Sequence, residues 1–365
     1  MFKPNFNITN NLLTYVSSIE SAKAIIENSP LVPAWDAKFK KDAMVRTIHF
    51  GTKIEGNDLT EEEAKKVARL DLVNDPEEAV KKSGIAARQR DVQEVINYRN
   101  VIRWIDEQEE GLADKLFSED VLKQLHSLTM SNLLDENDVG NYRRKQVIVK
   151  GAGSHQGEIV FRPPVSVEVP YLLEQFFEWL NHAPSNKIHP IFKAAITHYK
   201  LVFIHPFIEG NGRTARALAT LVLYVTNYDF KRFFSLEEYF DLNVENYYRA
   251  LQSVQQSEND DMTYWLEYFC YGLALEVERV KQQVLKLSKD LKMKEELGKQ
   301  VALSERQIII LEVLQKQGHI VSQDAHEVLP NVSIDTVLRD LNDLIDKGVV
   351  KKQGVTKGVT YSLTK

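Results

Sequence analysis

Along residues 1–300 of this 365-residue chain, apolar positions recur every three to four residues, the period of one helix face. The pattern predicts helices over 11–28, 36–55, 61–72, 86–107, 119–134, 168–182, 190–204, 213–227, 236–256 and 261–290. Thr60 with Glu63 makes a capping box that opens one of them. Gly56 stands where a helix ending at Glu55 needs a left-handed residue. The helical rhythm breaks at "KQVIVKGAGSHQGEIVFRPP", Lys145 to Pro164. Two β-branched runs flank a Gly/Ser/His turn there, which predicts a β-hairpin stopped by Pro163-Pro164. A lone hairpin is marginal in water, so it must lie on the helical body.

After about residue 300 the pattern changes. Residues 279–300 read as a charged connecting helix with an apolar seam. Ser304 caps a helix to Gln317 that Gly318 ends, a second helix covers 322–329, and Ser333 or Asp335 opens a third that runs to Lys347. The strands "VVKKQ" and "GVTYSLT" follow. Three helices and a hairpin in this order predict a winged helix. The expected organisation is an N-terminal helical region over 1–110, a core over 111–278, a linker over 279–300 and the winged helix over 301–365.

Composition adds limits. Hydrophobic residues at 43% and charged residues at 27% are ordinary for a globular protein, and the length favours more than one core. A formal net charge of -6 argues against a chain built mainly to coat nucleic acid. The one cysteine, Cys270, allows no internal disulfide and no thiolate metal cluster. The N-terminus lacks a basic segment followed by a long apolar one, and no apolar run is long enough to span a bilayer. The expectation is a cytoplasmic protein with no membrane partner.

The chemistry concentrates in "LVFIHPFIEGNGRTARALATLVLY", Leu201 to Tyr224. Pro206 stops one helix, Gly210 and Gly212 break regularity again, and a new helix starts near Gly212. The loop thus lies at a helix N-terminus, where free N–H groups and the dipole favour an anion and glycines let it approach closely. Arg213 and Arg216 share one helix face above that end, which suggests a di- or triphosphate. His205 is placed to take a proton from an incoming hydroxyl. Glu209 is a single carboxylate of the kind that holds Mg²⁺ among phosphate oxygens. Asn211 suits a loop-holding role through side-chain bonds to the backbone. The P-loop pattern and the protein-kinase signatures are absent.

"HPFIEGNGRTAR", His205 to Arg216, resembles the Fic motif at every defined position, and the resemblance extends over roughly 40–275. It implies a mainly α Fic fold with a β-hairpin flap, and transfer of AMP from ATP to a Ser, Thr or Tyr hydroxyl of a target protein. In that reading His205 is the general base and Glu209 the Mg²⁺ ligand. Gly210, Asn211 and Gly212 form the anion loop, Arg213 meets the β-phosphate and Arg216 the γ-phosphate. The hairpin at 145–162 corresponds to the flap that pins the target, while Tyr247 and Tyr248, with Gln255 beyond them, resemble the adenine-side residues. "HFGTKIEGNDLT", His49 to Thr60, resembles the family's inhibitory helix, with Gly51 where a Ser or Thr is usual. This implies a pair between Glu55 and Arg216 that takes away the γ-phosphate's partner within the same chain.

Three functions follow as alternatives: an autoinhibited AMP transferase, a de-AMPylase or other nucleotide-donor transferase on the same fold, and a nucleotide-sensing transcription regulator. The third winged-helix helix carries Asp335, Asp340, Asp343 and Asp346 against Arg339 and Lys347, and only the wing is basic, with Lys351, Lys352 and Lys357. That balance favours a protein partner over DNA. Family members of this layout often form homodimers, so a homodimer is a further expectation.

Overall fold

The structure, a computed structural model, describes residues 2–29, 31, 33–70, 73–108, 117–150, 159–182, 187–296, 303–321, 324, 329, 332–354 and 359–364. The protein is mainly helical, with a two-stranded hairpin in the middle of the chain and a winged helix at its C-terminal end. It divides into two compact units, residues 1–28 with 40–282, and residues 29–39 with 283–365.

In the first unit two helices form the centre: α8 (Pro190–Ile204) and α9 (Asn211–Val225). They are buried nearly all round, with Ala194, Ala195, Ile196 and Leu201 on one and Ala215, Ala217, Leu218, Leu221 and Val222 on the other. Their alanines let the axes come close, and the motif loop 205–210 is the turn between them. Around them lie α1 (Asn10–Asn28), α2 (Pro33–Lys53), α3 (Glu61–Ala68), α4 (Pro76–Ser83), α5 (Gln89–Asp106), α6 (Glu119–Met130), α7 (Val169–Asn181), α10 (Leu236–Leu242), α11 (Val244–Gln256) and α12 (Thr263–Glu296). Residues 33–39 of α2 and 283–296 of α12 fall in the second unit.

Local chemistry sets the boundaries. Thr60 and Glu63 form the expected capping box. The chain turns after Lys53, and Gly56 adopts φ +91°. Helix α4 has no counterpart in the periodicity, because it is 8 residues long and buries only Ala79. Asp75 caps it, Pro76 occupies its first turn and Gly84 closes it at φ 66°. The continuous helix expected over 236–256 breaks at Asn243, whose side chain accepts from the Asn246 N–H and starts α11 afresh.

The hairpin forms from β1 (Val149–Lys150) and β2 (Ile159–Phe161), antiparallel, with Val149 opposite Phe161. Its turn, 151–158, lies outside the described residues.

The second unit holds α13 (Glu305–Gln317), β3 (His319–Ile320), α14 (Ile334–Asp346), β4 (Val350–Gln353) and β5 (Thr360–Leu363). Its sheet is antiparallel in the order β3-β5-β4. Leu311, Leu314, Val337, Leu341, Leu344 and Tyr361 form its core. Most of the expected second helix, 322–329, and Lys357 lie outside the described residues. The acidity of α14 is partly internal. Asp340 is buried and paired with Arg306 at 2.7 Å, and Asp343 engages Gln307 and Lys347. Asp335 and Asp346 are exposed on that helix beside exposed Arg339, and the Asp343 side chain is 46% exposed although paired with Lys347.

Candidate active site

Most of the residues singled out in the motif converge on one cleft of about 350 Å³, lined by Glu55, Val149, His205, Glu209, Gly210, Asn211, Gly212 and Tyr248 among others, whereas Arg213 lines neither this cleft nor the smaller cavity beside it. A smaller cavity of about 110 Å³ shares Glu55, His205, Gly212 and Tyr248 and adds Arg216, Tyr247, Leu251 and Gln255. Tyr248 borders both. Tyr247 is 2% exposed, lies 4.8 Å from the Phe240 ring in a stacked contact, and shares a 2.8 Å hydrogen bond with His198. The helix face that carries Tyr247 is therefore largely core, as an amphipathic α11 requires.

Asn211 is 4% exposed and bridges the loop: its Oδ1 accepts from Phe207 N–H and its Nδ2 donates to Phe207 C=O, both at 2.9 Å. Gly210 caps α9 at φ 76°, and a Cβ there would overlap Met130. A Cβ on Gly212 would overlap the Glu55 carboxylate. These two positions need glycine for different reasons, one for backbone conformation and one for space.

His205 ends α8 in the left-handed region, φ 51°, ψ 59°. Its Nδ1 lies 3.1 Å from the Val202 carbonyl. A carbonyl only accepts, so Nδ1 carries the hydrogen and Nε2 is left as the acceptor. Burial pushes the imidazole pKa down to about 4, with the Val202 bond opposing that shift and Arg143 adding to it.

Arg216 is 2% exposed, and its Nη2 donates to Glu55 Oε1 at 2.8 Å and to Gly51 C=O at 2.9 Å. A Cβ at Gly51 would overlap the Tyr98 ring, so a side chain at this position would collide where glycine does not. Burial works against the Glu55 carboxylate, but Arg216, with Arg213 behind it, holds its pKa below the usual value. Arg213 is also buried and lies 3.3 Å from Glu94 and 3.9 Å from Glu209. Among the described residues, the Nε atoms of both arginines are buried without a hydrogen-bond acceptor. Unmatched buried donors above a helix N-terminus are what a polyphosphate would satisfy.

Glu209 lines the cleft and is also paired with Arg90. No group of three or more His, Cys, Asp or Glu suited to a metal occurs among the described residues. A single accessible carboxylate nonetheless fits Mg²⁺, which takes few protein ligands and completes its shell with phosphate oxygens and water.

Four residues of the site escape the sequence reading. Glu94, on α5, accepts from Asn57 Nδ2 at 2.8 Å and faces Arg213. Arg90, one turn earlier, meets Glu209. His126 is fully buried under the loop: its Nδ1 accepts from Gly140 N–H at 2.9 Å, its Nε2 donates to Glu209 C=O at 3.0 Å, and its ring stacks on Phe207 with centroids 3.7 Å apart. Arg143 binds the His205 carbonyl. No spacing pattern marks any of them, since each acts through a distant partner.

Buried neutral histidines carry a pH signature. Burial pushes His126 down to about 4, and His198 well below its usual range. Between the unfolded value near 6.5 and these folded values, the unfolded chain binds more protons. The contribution is complete above pH 6.5 and is lost as pH falls towards 4. The melting temperature is therefore expected to fall steadily from pH 7 to pH 4.5 in calorimetry. His126→Gln keeps one donor and one acceptor but does not titrate, so it should flatten part of that slope; an unchanged slope would contradict the assignment.

With this geometry in place, comparison with known proteins identifies the class. Residues 116–223 match the Fic/DOC family, and residues 306–354 match the DeoR-like helix-turn-helix domain. Two separate segments of the chain are thus similar to a Fic/DOC domain and to a helix-turn-helix domain. It is 31% identical over 191 residues to the protein adenylyltransferase Fic of Drosophila mojavensis, covering 52% of this chain and 33% of that protein. To its Drosophila grimshawi counterpart it is 32% identical over 191 residues, covering 52% and 35%. The chain thus spans about a third of the length of these relatives. A Fic family protein from Desulfovibrio desulfuricans G20 shares the fold over 100% of this chain and 98% of its own, with TM-score 0.65 and 23% identity. Fic-1 from C. elegans matches 76% of this chain and 73% of its own, with TM-score 0.55 and 22% identity.

Proposed function

We propose that this chain is a protein adenylyltransferase, transferring AMP from ATP to a hydroxyl of a target protein, and that Glu55 restrains it. The observation that carries the reading is the cleft itself. It combines a neutral imidazole with Nε2 as acceptor, a glycine-rich helix N-terminus and a hairpin edge at Val149 on its rim, and the smaller cavity beside it reaches Arg216. Relatives named protein adenylyltransferase, at about 31% identity, favour the same reaction.

In this mechanism the target chain pairs along β1, where backbone bonds register it without demanding much of its sequence. Its hydroxyl stands beside His205 Nε2. The imidazole takes the proton as the oxygen bonds to the α-phosphorus, the bond to the β-phosphate oxygen breaks, and pyrophosphate leaves. Arg213 and Arg216 hold the β- and γ-phosphates, and the free N–H groups of α9 receive the remaining charge. Glu209 would exchange Arg90 for Mg²⁺, which when bound neutralises the phosphate charge. Tyr248 and Gln255 border the space left for the base. The helix-turn-helix domain recruits a partner protein in this reading, because α14 exposes Asp335 and Asp346 beside Arg339, with Asp343 neutralised by Lys347 at the surface; buried Asp340 no longer counts in that balance.

The test is the fate of the phosphates. Incubation with Mg²⁺ and ATP labelled at the α-phosphate should mark protein, and label at the γ-phosphate should not. Protein labelled from the γ-phosphate would make this a kinase. Loss of AMP from a previously modified protein, with no label gained from either ATP, would make it a de-AMPylase with Glu55 acting on water.

A further inference from the structure

Arg143 lies between the Gly140 turn and the hairpin and is 3% exposed. Its backbone N–H donates to Pro206 C=O at 2.9 Å. Its guanidinium donates from Nε to His205 C=O at 2.7 Å, from Nη2 to Pro164 C=O at 2.5 Å and Ile204 C=O at 3.4 Å, and from Nη1 to Lys145 C=O at 3.3 Å. Each of these acceptors is a neutral main-chain carbonyl. A buried cation is costly unless it is hydrogen-bonded or paired, and among the described residues this one is held by main-chain carbonyls alone. Here the one planar fork joins the residue where the chain enters the hairpin, the residue where it leaves, and the carbonyl of His205. Two bonds beside it lace the stems together: Gln146 Nε2 to Pro163 C=O at 2.9 Å, and Ser166 Oγ to Arg144 C=O at 3.1 Å.

We infer that Arg143 is a positioning residue that sets the separation between the hairpin edge and the His205 imidazole. Since the acceptor chain is held on one and deprotonated by the other, this separation decides which hydroxyl arrives. At the correct distance a protein hydroxyl attacks the α-phosphorus and gives up its proton to His205 Nε2. With the hairpin displaced, water takes the same place, its oxygen bonds to phosphorus, pyrophosphate leaves, and free AMP results. The fork geometry is essential, because a lysine keeps the charge but presents a single rotatable head and cannot span three carbonyls in one plane. Among the described residues, Arg143 forms no hydrogen bond or ion pair with Arg213, Arg216 or Glu209, so ATP binding should not depend on it.

The inference rests on the transfer reading, and its test separates the two. In a Glu55→Gly chain, Arg143→Lys and Arg143→Gln are compared with arginine, using ATP labelled at the α-phosphate. Protein-bound label on the chain itself, free AMP, ATP affinity and amide exchange are all measured. The expected result is protein-bound label reduced by about a hundredfold, the scale of an ångström misplacement. The ratio of free AMP to protein-bound AMP should rise, and ATP affinity should stay within about twofold. Amides in 145–149 and 159–164 should exchange faster while those of α9 do not change. Unchanged label and unchanged ratio would overturn the inference, and so would a parallel fall in ATP affinity and α9 protection, which would make Arg143 a general support of the anion loop. If the Glu55→Gly chain with Arg143 intact forms neither labelled protein nor free AMP, the transfer reading fails instead. Exchange in the hairpin stems then decides on the tether alone.

Discussion

Replacing Glu55 by glycine is expected to raise AMP transfer by about ten- to a hundredfold, because a hydrogen bond to a charged group contributes about 1.5–3 kcal/mol and each 1.4 kcal/mol is a factor of ten. In the proposed restraint, ATP and Glu55 compete for one guanidinium. Arg216 gives Nη2 to Glu55 at 2.8 Å and to the Gly51 carbonyl at 2.9 Å, which leaves a phosphate no full fork to grip. The same carboxylate presses on Gly212, where the nucleotide must approach closely. Removing Glu55 clears both obstacles at once, so apparent ATP affinity and transfer should rise together. Glu55→Gln separates the causes: it keeps the bulk and loses the charge, and should fall between parent and glycine variant. Equal transfer by parent and Glu55→Gly, at ATP concentrations below saturation, would remove the restraint from the proposal.

The second large effect is a loss. His205→Ala in the Glu55→Gly background is expected to lower transfer by about 10²–10⁴-fold, the range of a positioned general base. ATP affinity should change little, because the proposal gives the phosphate contacts to Arg213, Arg216 and the α9 N-terminus. The imidazole is held neutral by its burial, with a pKa near 4 in the free protein. The transfer rate of the parent should therefore show no limb from His205 between pH 5.5 and 8, and should fall only as pH approaches that value. Transfer retained by His205→Ala would assign the proton to another group.

Much of this arrangement is legible along the chain, for one physical reason: a loop between two apolar helices concentrates its groups within twelve positions. Asn211 illustrates this, because its loop-bridging bonds reach only Phe207, four residues away. Residues acting at long range are different. Arg143 reaches His205 across 62 positions and His126 reaches Glu209 across 83, and both bind main-chain carbonyls, which every residue possesses. No residue type at a fixed spacing announces such a bond. Glu55 and Arg216, 161 positions apart, were paired only through resemblance. The short helix α4 had its signals in Asp75, Pro76 and Gly84, but one buried alanine gives no periodicity to detect. On α14 the sequence displays four acids without telling that Asp340 is buried against Arg306.

The left-handed conformation of His205 has a consequence for selection. At φ 51° a residue with a Cβ is strained by about 1–2 kcal/mol, whereas glycine adopts that conformation freely. The imidazole thus occupies a position where folding alone would prefer no side chain. A library enriched only for heat resistance should drift towards glycine at 205, yielding a sturdier protein without the base proposed here. On the proposed mechanism thermal ruggedness and turnover are opposed at this one backbone position, and a screen has to reward both to keep the histidine.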